Sequence, residues 1–565
     1  MQVLANKILT PITLWSGFDD TLPVEATVLE ERTEEKMLLR AVRFPGRAVG
    51  GERVNIFARS GMPAEGNSFP ALLVLPDYES TADETLIRRF VRKGYVVLMP
   101  DYRGKYTDGD FNYTAYPQSI SYANYKEAGE HLDFAEPSAK ETCWYEWTAV
   151  ARYCVKYLQS LPYVGKIGVI GTKAGGDIAF QLAATAEGLS CAIPVCAGGW
   201  RAYRGVHKFG ENTELAMNDE RYRFLAGVDA QAYAQYVKCP VLMLCASNDT
   251  RFDADRAFDT FARINPAMDK TFFFSARYCD CIGNTGMKDL DLFVDKYLKD
   301  REVFIPAPVE ISIEEDEGEL VARIRFDPNG EVTYCEVYLS EDTENSALRN
   351  WTRCELKREE GEDEQIFRLN AYKKSTRVFA FAKAKYSCGF AVSSKIAVKK
   401  PDKVYTNMTD KCRILYSSEN KFDSFVLDDP SQKVMADCFL DAGDSPIRMI
   451  KGPHGINGIY SPFGLKLFRI GEERFRPTPN ALLKLDVYSA APGILRICVG
   501  ASKNGVLEKY FCYLRLSGGE CWADRVLYAK DFKTEENRPL SQFSDANYIT
   551  FSSEGEFCIN NLLWL

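Results

Sequence analysis

Continuous apolar runs alternate with amphipathic helical patterns between about residues 50 and 300. The runs include "FPALLVLP" at 69–76, "YVVLMP" at 95–100, "KIGVIG" at 166–171 and "CPVLMLCAS" at 239–247. Between two of them, residues 141–161 place Trp147, Val150, Cys154 and Leu158 on one face of a helix. Strands that are apolar at nearly every position are typical of sheets covered on both faces. The pattern therefore predicts an α/β domain with a doubly wound, mainly parallel sheet.

After residue 304 the pattern changes to an alternation of apolar and polar residues at period two. It is clearest in "VEISIEEDEGELVARIRF" at 309–326, "VTYCEVYLSE" at 332–341 and "RVFAFAKAKYS" at 377–387. Such strands predict a small sandwich of immunoglobulin or fibronectin kind over 304–400. A second strand-rich stretch, 401–565, predicts a larger sandwich of jelly-roll kind. We therefore expect an α/β domain with an N-terminal extension over 1–303, followed by two β-sandwich domains.

Charge and composition exclude several classes of partner. The net charge is -9, which gives no basic surface for nucleic acid, and no apolar run approaches the roughly 20 residues that span a bilayer. The first residues lack the pattern of a signal peptide, and 17 cysteines occur without a C-x-x-C pair or a histidine at zinc spacing. We expect a cytoplasmic protein with reduced thiols, no metal and no other cofactor. Its oligomeric state is left open.

The stretch "GVIGTKAGGDIAF" at 168–180 has the shape of a nucleophile elbow, in which a buried strand turns sharply into a helix. Gly171 and Gly175 stand at the spacing of the motif G-x-S-x-G. The position of the hydroxyl nucleophile is occupied by Lys173, between Thr172 and Ala174. Thr172 is one residue away, so its side chain should point in a different direction.

These segments occur in an order that resembles the α/β-hydrolase fold, in particular the acetylxylan esterases and dienelactone hydrolase-like esterases. The resemblance covers about residues 69–300. It implies that the loop at Asp77, Tyr78 and Glu79 borders the active-site pocket. It also implies that Asp249, in "ASNDTRF", stands where these enzymes carry the acid of a Ser-His-acid triad.

Against this pattern, the catalytic positions are altered. The expected histidine is absent from "FSARYCDCIGN" at 274–284, which offers only Cys279, Asp280 and Cys281. The chain has three histidines, His131, His207 and His454. Only His207 comes shortly after the strand that follows the elbow helix, in the region where a lid usually lies. Two carboxylates beside the oxyanion site would oppose a developing negative charge, whereas they would suit a lysine.

Three functional hypotheses follow. The favoured one is a pseudo-esterase with a binding or scaffolding role, in which Lys173 pairs with Asp77, Glu79 or Asp249. The alternative is an enzyme acting on an acyl ester or acylated carbohydrate through a deprotonated Lys173 as base or Schiff-base nucleophile. A third is a hydrolase that recruits Cys279, Cys281 or His207.

Two further groups are weaker candidates. Cys279 and Cys281 form a poor ligand set for a soft metal, because no second pair of ligands accompanies them. The aromatic residues of the last domain offer stacking surfaces for a sugar ring, although aromatic residues in a sandwich usually belong to the core. These residues are Trp522, Tyr528 and Trp564. A small-molecule or carbohydrate ligand therefore stays an open alternative.

Overall fold

The computed structural model describes most of the chain. The described residues are 8–106, 112–210, 218–361, 363–420, 425–428, 434–436, 439–440, 447–503 and 506–565. In these parts of the chain, no helix has both the length and the apolar character needed to cross a membrane.

The first part of the chain forms a mixed nine-stranded sheet with helices on both faces, which confirms the predicted α/β class. The strands are β1 Thr27–Glu34, β2 Met37–Val49, β3 Glu52–Pro63, β4 Phe69–Leu75, β5 Val96–Pro100, β6 Val164–Thr172, β7 Leu189–Val195, β8 Val241–Ala246 and β9 Lys270–Ser275. The helices are α1 Pro11–Trp15, α2 Glu84–Val91, α3 Cys143–Ser160, α4 Ala174–Thr185, α5 Asp219–Gly227, α6 Ala230–Tyr233, α7 Ala254–Arg263 and α8 Asn284–Lys299.

The strand order is β1-β2-β3-β5-β4-β6-β7-β8-β9. All neighbours from β5 to β9 in this order are parallel, whereas β1, β2 and β3 are joined to one another and to β5 in antiparallel fashion. The sheet is buried on both sides: in β4, Leu73 belongs to the core beneath α3 and α4, and Val74 to the core beneath α2 and α8. This two-sided burial explains the continuous apolar runs. The three antiparallel strands were not predicted.

Two antiparallel sheets follow, as expected for a β-sandwich. Their strands are β10 Glu310–Asp316, β11 Glu319–Arg325, β12 Val332–Glu341, β13 Thr352–Arg353, β14 Glu355–Glu359, β15 Glu364–Arg368, β16 Val378–Tyr386, β17 Ala391–Ser393 and β18 Ala397–Lys399. One sheet has the order β10-β11-β15-β14 and the other β13-β12-β16-β17, with β18 also on β16. The pair packs on the α/β part, where the Ser393 hydroxyl accepts from the Phe274 N–H at 2.9 Å.

The last part of the chain also consists of antiparallel sheets. Its strands are β19 Ile414–Tyr416, β20 Phe425–Leu427, β21 Val434–Ala436, β22 Phe439–Leu440, β23 Arg448–Lys451, β24 Asn457–Tyr460, β25 Leu465–Leu467, β26 Leu483–Tyr488, β27 Gly493–Lys503, β28 Val506–Leu516, β29 Ala523–Leu527, β30 Ala546–Ser552 and β31 Cys558–Trp564. The larger sheet has the order β23-β24-β31-β26-β29, with β19 on β31, and the facing sheet β20-β25-β30-β27-β28. The domain boundaries and the jelly-roll assignment stay predictions.

Candidate functional site: a nucleophile elbow that carries lysine

The turn between β6 and α4 has the backbone geometry of a nucleophile elbow. Lys173 lies between the strand and the helix with φ 50° and ψ -111°, a conformation that a residue with a side chain rarely adopts. Its N–H donates to the carbonyl oxygen of Val195 at 2.8 Å. Its own carbonyl accepts from the N–H groups of Gly176 and Asp177 at 3.0 and 3.1 Å. Hydrogen bonds on both sides hold the strained residue in place.

The two motif glycines are required by close packing. A Cβ on Gly171 would lie 2.0 Å from the carbonyl oxygen of Gly175. A Cβ on Gly175 would lie 2.0 Å from the carbonyl oxygen of Leu75 in β4. Because backbone atoms cannot move aside cheaply, only glycine fits at either position.

The neighbours of Lys173 in the chain offer no replacement nucleophile. Thr172 is fully buried and its hydroxyl donates to the carbonyl oxygen of Leu75 at 3.4 Å, on the strand side of the turn. Ala174 is also buried and begins α4.

The loop after β4 carries two carboxylates, and their salt bridges run to Arg251. The guanidinium of Arg251 donates to Asp77 Oδ2 at 2.8 Å and to a carboxylate oxygen of Glu79. Burial raises the pKa of Asp77, against the opposing charges of Arg251 and Lys173. Burial also acts on Glu79, but the Arg251 hydrogen bond and charge outweigh it and the pKa of Glu79 is lowered. Arg251 was not predicted from the sequence to be a site residue.

The half-buried Lys173 acts electrostatically on all three carboxylates expected to surround it. Its positive charge is among the influences that lower the pKa of Asp77, Glu79 and Asp249. The side chain therefore lies within reach of the acidic groups of the pocket. Its direct pairing with one of them stays a prediction.

Asp249 stands just beyond β8, as the resemblance implied, but only one of its two carboxylate oxygens accepts hydrogen bonds. Oδ1 accepts from the N–H groups of Arg251 and Phe252 at 2.8 and 3.1 Å. Oδ2 is buried and has no hydrogen-bond partner among the residues that the structure describes. Burial and then the charge of Asp280 raise the pKa of Asp249 well above its ordinary value. An imidazole would supply the missing donor, and the loop that should carry it has none.

That loop, between β9 and α8, is held by other contacts. Asp280, at φ 53°, accepts from the N–H and the hydroxyl of Thr250 at 2.6 and 2.7 Å. Cys279 and Cys281 are buried against residues of the last part of the chain, namely Val426, Leu427, Phe463, Phe468 and Tyr548. Burial raises the pKa of the Cys279 thiol to about 12, which opposes a thiolate nucleophile. Among the described residues, no group of three potential ligands could hold a metal ion.

The histidines lie in other surroundings. His207 is half-buried and burial lowers its pKa, and the charges that act on it belong to Glu344, Arg349, Asp255 and Arg256. His131 stacks on Tyr122 with a centroid distance of 4.9 Å. His454 occupies a turn in the last part of the chain. None of these contacts brings a histidine to the elbow.

Aromatic residues line the carboxylate loop. Tyr78 stacks on Tyr125 at 4.7 Å, and the Tyr125 hydroxyl donates to Glu79 at 3.3 Å. The guanidinium of Arg201 lies 5.8 Å from the centre of the Tyr78 ring and pairs with Asp177 at 3.2 Å. Neither Arg201 nor Arg251 was predicted from the sequence to be a site residue, because each appeared there only as a charged residue in a loop.

The three aromatic residues proposed for sugar stacking differ in exposure. Trp564 belongs to the core and donates to the carbonyl oxygen of Phe475 at 2.8 Å. Trp522 is partly buried and donates to the carbonyl oxygen of Pro453 at 3.3 Å. Of the three, only Tyr528 is exposed. They therefore do not form a common stacking surface.

A family model and several solved structures are similar to parts of this chain. Residues 57–270 match the family model of the "Dienelactone hydrolase family". An acetyl xylan esterase from Paenibacillus is similar at 16% identity and a TM-score of 0.40, over 53% of this chain and 94% of that one. Acetyl xylan esterase 1 from Thermoanaerobacterium gives 15% and 0.40, over 53% and 98%. A putative dienelactone hydrolase from Klebsiella pneumoniae gives 13% and 0.32, over 50% and 100%. No curated protein matches significantly.

The family match and the elbow geometry concern the same part of the chain. The α/β part has an esterase-like α/β-hydrolase fold of the dienelactone hydrolase type, followed by antiparallel β-sheets.

Proposed function

We propose that this α/β-hydrolase-fold protein is a pseudo-esterase, in which the former catalytic pocket binds a ligand without hydrolysing it. The observation that carries the proposal is Lys173 on the strained elbow, where esterases of this fold need a hydroxyl. An ammonium has no lone pair to attack a carbonyl carbon.

The other triad positions support the same conclusion. Asp249 follows β8, where the resemblance implies the acid, yet its buried Oδ2 lacks the imidazole N–H that would engage it. The N–H and the hydroxyl of Thr250, in the loop after β8, donate hydrogen bonds to the Asp280 carboxylate, in the loop between β9 and α8. A triad histidine would have to fit between these two loops. A hydroxyl at the elbow would therefore lack a general base.

The alternative, catalysis by a neutral lysine, is opposed by the same surroundings. A catalytic lysine needs a lowered pKa, which desolvation or a neighbouring cation provides. Glu79, whose pKa is lowered, contributes negative charge near Lys173, and negative charge stabilises the ammonium.

The test combines a nucleophile probe with reversal of the elbow residue. Wild type and Lys173→Ser should neither be labelled by a fluorophosphonate nor hydrolyse p-nitrophenyl acetate above the rate of Lys238→Ser. Lys238 is a matched control because it is about half exposed and pairs with Glu187 on the surface. Stoichiometric labelling of a pocket hydroxyl, or a large gain of hydrolysis in Lys173→Ser, would contradict the proposal.

The amine itself distinguishes the two hypotheses. An ion-paired Lys173 should react with an amine-selective acylating reagent no faster than Lys238 at neutral pH. Preferential labelling of Lys173 near neutral pH would indicate a lowered pKa and favour the lysine-based enzyme.

A further inference from the structure

A groove of about 1230 Å³ lies on the face of the sheet β20-β25-β30-β27-β28 that points away from the core between the two sheets. It is larger than the roughly 300–1,000 Å³ of pockets for single small molecules. The inner face of the same sheet is core: in β27, Leu495, Ile497 and Val499 are fully buried. The residues between them, including Arg496 and Cys498, line the groove.

The register of the strands arranges the groove in rows. Lys466 of β25 is paired with Thr550, Thr550 with Cys498, and Cys498 with Phe511 of β28. The adjacent row on the same face pairs Arg496 with Tyr513. The face of the sheet that lines the groove therefore carries both cationic and aromatic side chains.

Three cationic residues of the groove lie on strands of the sheet: Lys466 on β25, Arg496 on β27 and Lys509 on β28. The Lys466 ammonium lies 4.2 Å from the centre of the Tyr548 ring, and the Arg496 guanidinium lies 4.6 Å from that of Phe511. Within the described residues none of the three cations forms a salt bridge. The carboxylates of the groove, Asp428 and Glu554, stand in the loops after β20 and β30.

The spacing of the cations indicates a ligand with several charges. Arg496 is paired with Tyr513 and Gly500 with Lys509, so the backbone positions of Arg496 and Lys509 are four residues apart along the strands, about 13 Å. Tyr513 is 63% exposed, which leaves its ring available for stacking, whereas the partly exposed Phe511 ring already packs against the Arg496 guanidinium.

We infer that this groove binds an acidic oligosaccharide, whose carboxylates pair with Lys466, Arg496 and Lys509 while a sugar ring stacks on Tyr513. An acidic peptide would be expected to add as a strand at a sheet edge, whereas most of the groove lies over β25, β27 and β30, which have neighbouring strands on both sides. At the edge strand β28, the backbone of Phe511 already exchanges hydrogen bonds with that of Lys533. A nucleic acid is disfavoured by the net charge of -9.

The experiment is calorimetric titration of the full-length protein with tetragalacturonate and with its fully methyl-esterified, uncharged form. Tetragalacturonate should bind at least about tenfold more tightly than the ester, and added salt should weaken its binding. Equal binding of the two forms, or no binding of either, would overturn the inference. So would tighter binding of a tetraglutamate peptide or of a short oligodeoxythymidylate.

Matched variants locate the site. Arg496→Gln should weaken binding of tetragalacturonate by about tenfold, because it removes a charge-assisted hydrogen bond. Tyr513→Ala should weaken binding of both forms. The controls Arg525→Gln and Tyr528→Ala alter the opposite sheet, at β29 and just after it, and should leave affinity unchanged. Binding that is insensitive to Arg496→Gln and Tyr513→Ala in folded variants would place the ligand elsewhere and overturn the inference.

Discussion

Arg251 forms salt bridges with both carboxylates of the loop after β4. Its replacement by leucine tests how much these salt bridges stabilise the folded protein. Its guanidinium joins the loop after β8 to Asp77 and Glu79 in the loop after β4, across more than 170 residues of sequence. Leucine keeps an apolar stem of similar bulk but removes the charge and the donors.

The expected cost follows from the exposure of each partner. The Asp77 side chain is 2% exposed, so a carboxylate left there without its guanidinium is poorly solvated. Breaking a fully buried pair costs about 3–5 kcal/mol. Arg251 is 34% exposed and Lys173 and Arg201 also act on Asp77, so we expect about 2–3 kcal/mol. Glu79, at 46% exposure, adds at most about 1 kcal/mol.

The assay is thermal unfolding at about pH 7, where this loss should lower the melting temperature of the α/β transition by roughly 5–10 °C. Arg92→Leu is the matched control, because its pair with Glu35 is exposed on both sides and should contribute little. In the background of Asp77→Asn, Arg251→Leu should cost much less, since the buried charge is already gone. The penalty should also shrink toward pH 4, because loss of Arg251 raises the pKa of Asp77 further and protonation relieves the buried charge.

Two results would refute the claim that the charge of Arg251 stabilises the buried Asp77 carboxylate. One is an Arg251→Leu protein as stable as Arg92→Leu. The other is an Arg251→Leu penalty that is the same in the wild-type background and in the Asp77→Asn background, which would mean that the arginine acts through packing alone.

Two further predictions concern buried charges elsewhere in the α/β part. Asp249→Asn should stabilise the protein by about 1–2 kcal/mol near pH 7 and have little effect below about pH 4, measured by denaturant unfolding at both pH values. The sign follows from the raised pKa of Asp249, which makes the folded state lose stability as pH rises above the ordinary value of 3.8; an equal effect at both pH values would contradict it. Arg349→Met should cost about 3–5 kcal/mol and speed proteolysis near residues 301–308, because Arg349 and Asp255 form a pair with no exposed side-chain surface. Cleavage at the wild-type rate would show that this pair does not hold the first sandwich to the α/β part.

The sequence was informative where burial is local and regular. Strands such as β4 are apolar at successive positions because Leu73 and Val74 face two different cores. The elbow was recognisable because Gly171 and Gly175 are fixed by backbone contacts at a set spacing. In contrast, β1 is exposed at all of its positions, so no burial pattern marks it as a strand.

The pairing of the pocket carboxylates was not predictable by the same means. A long arginine side chain can bridge loops that are far apart in sequence, and no local pattern records its partner. Arg251 stands two residues after Asp249, and that proximity to a recognised site position was the only signal available. The burial of Cys279 against Phe468 and Tyr548 is equally non-local, since these residues lie in the last part of the chain.

These non-local contacts bear on what the proposed pseudo-esterase would need in order to hydrolyse an ester. A serine at position 173 would need an imidazole between it and Asp249, supplied from the loop between β9 and α8. There, Asp280 is bonded to Thr250, and the flanking cysteines are packed into the last part of the chain. A histidine introduced in this loop would have to replace or displace these contacts, while Arg251 would still hold two carboxylates beside the oxyanion site. If the chain is the proposed pseudo-esterase, hydrolysis would require several coordinated substitutions, and the elbow residue alone would not control it.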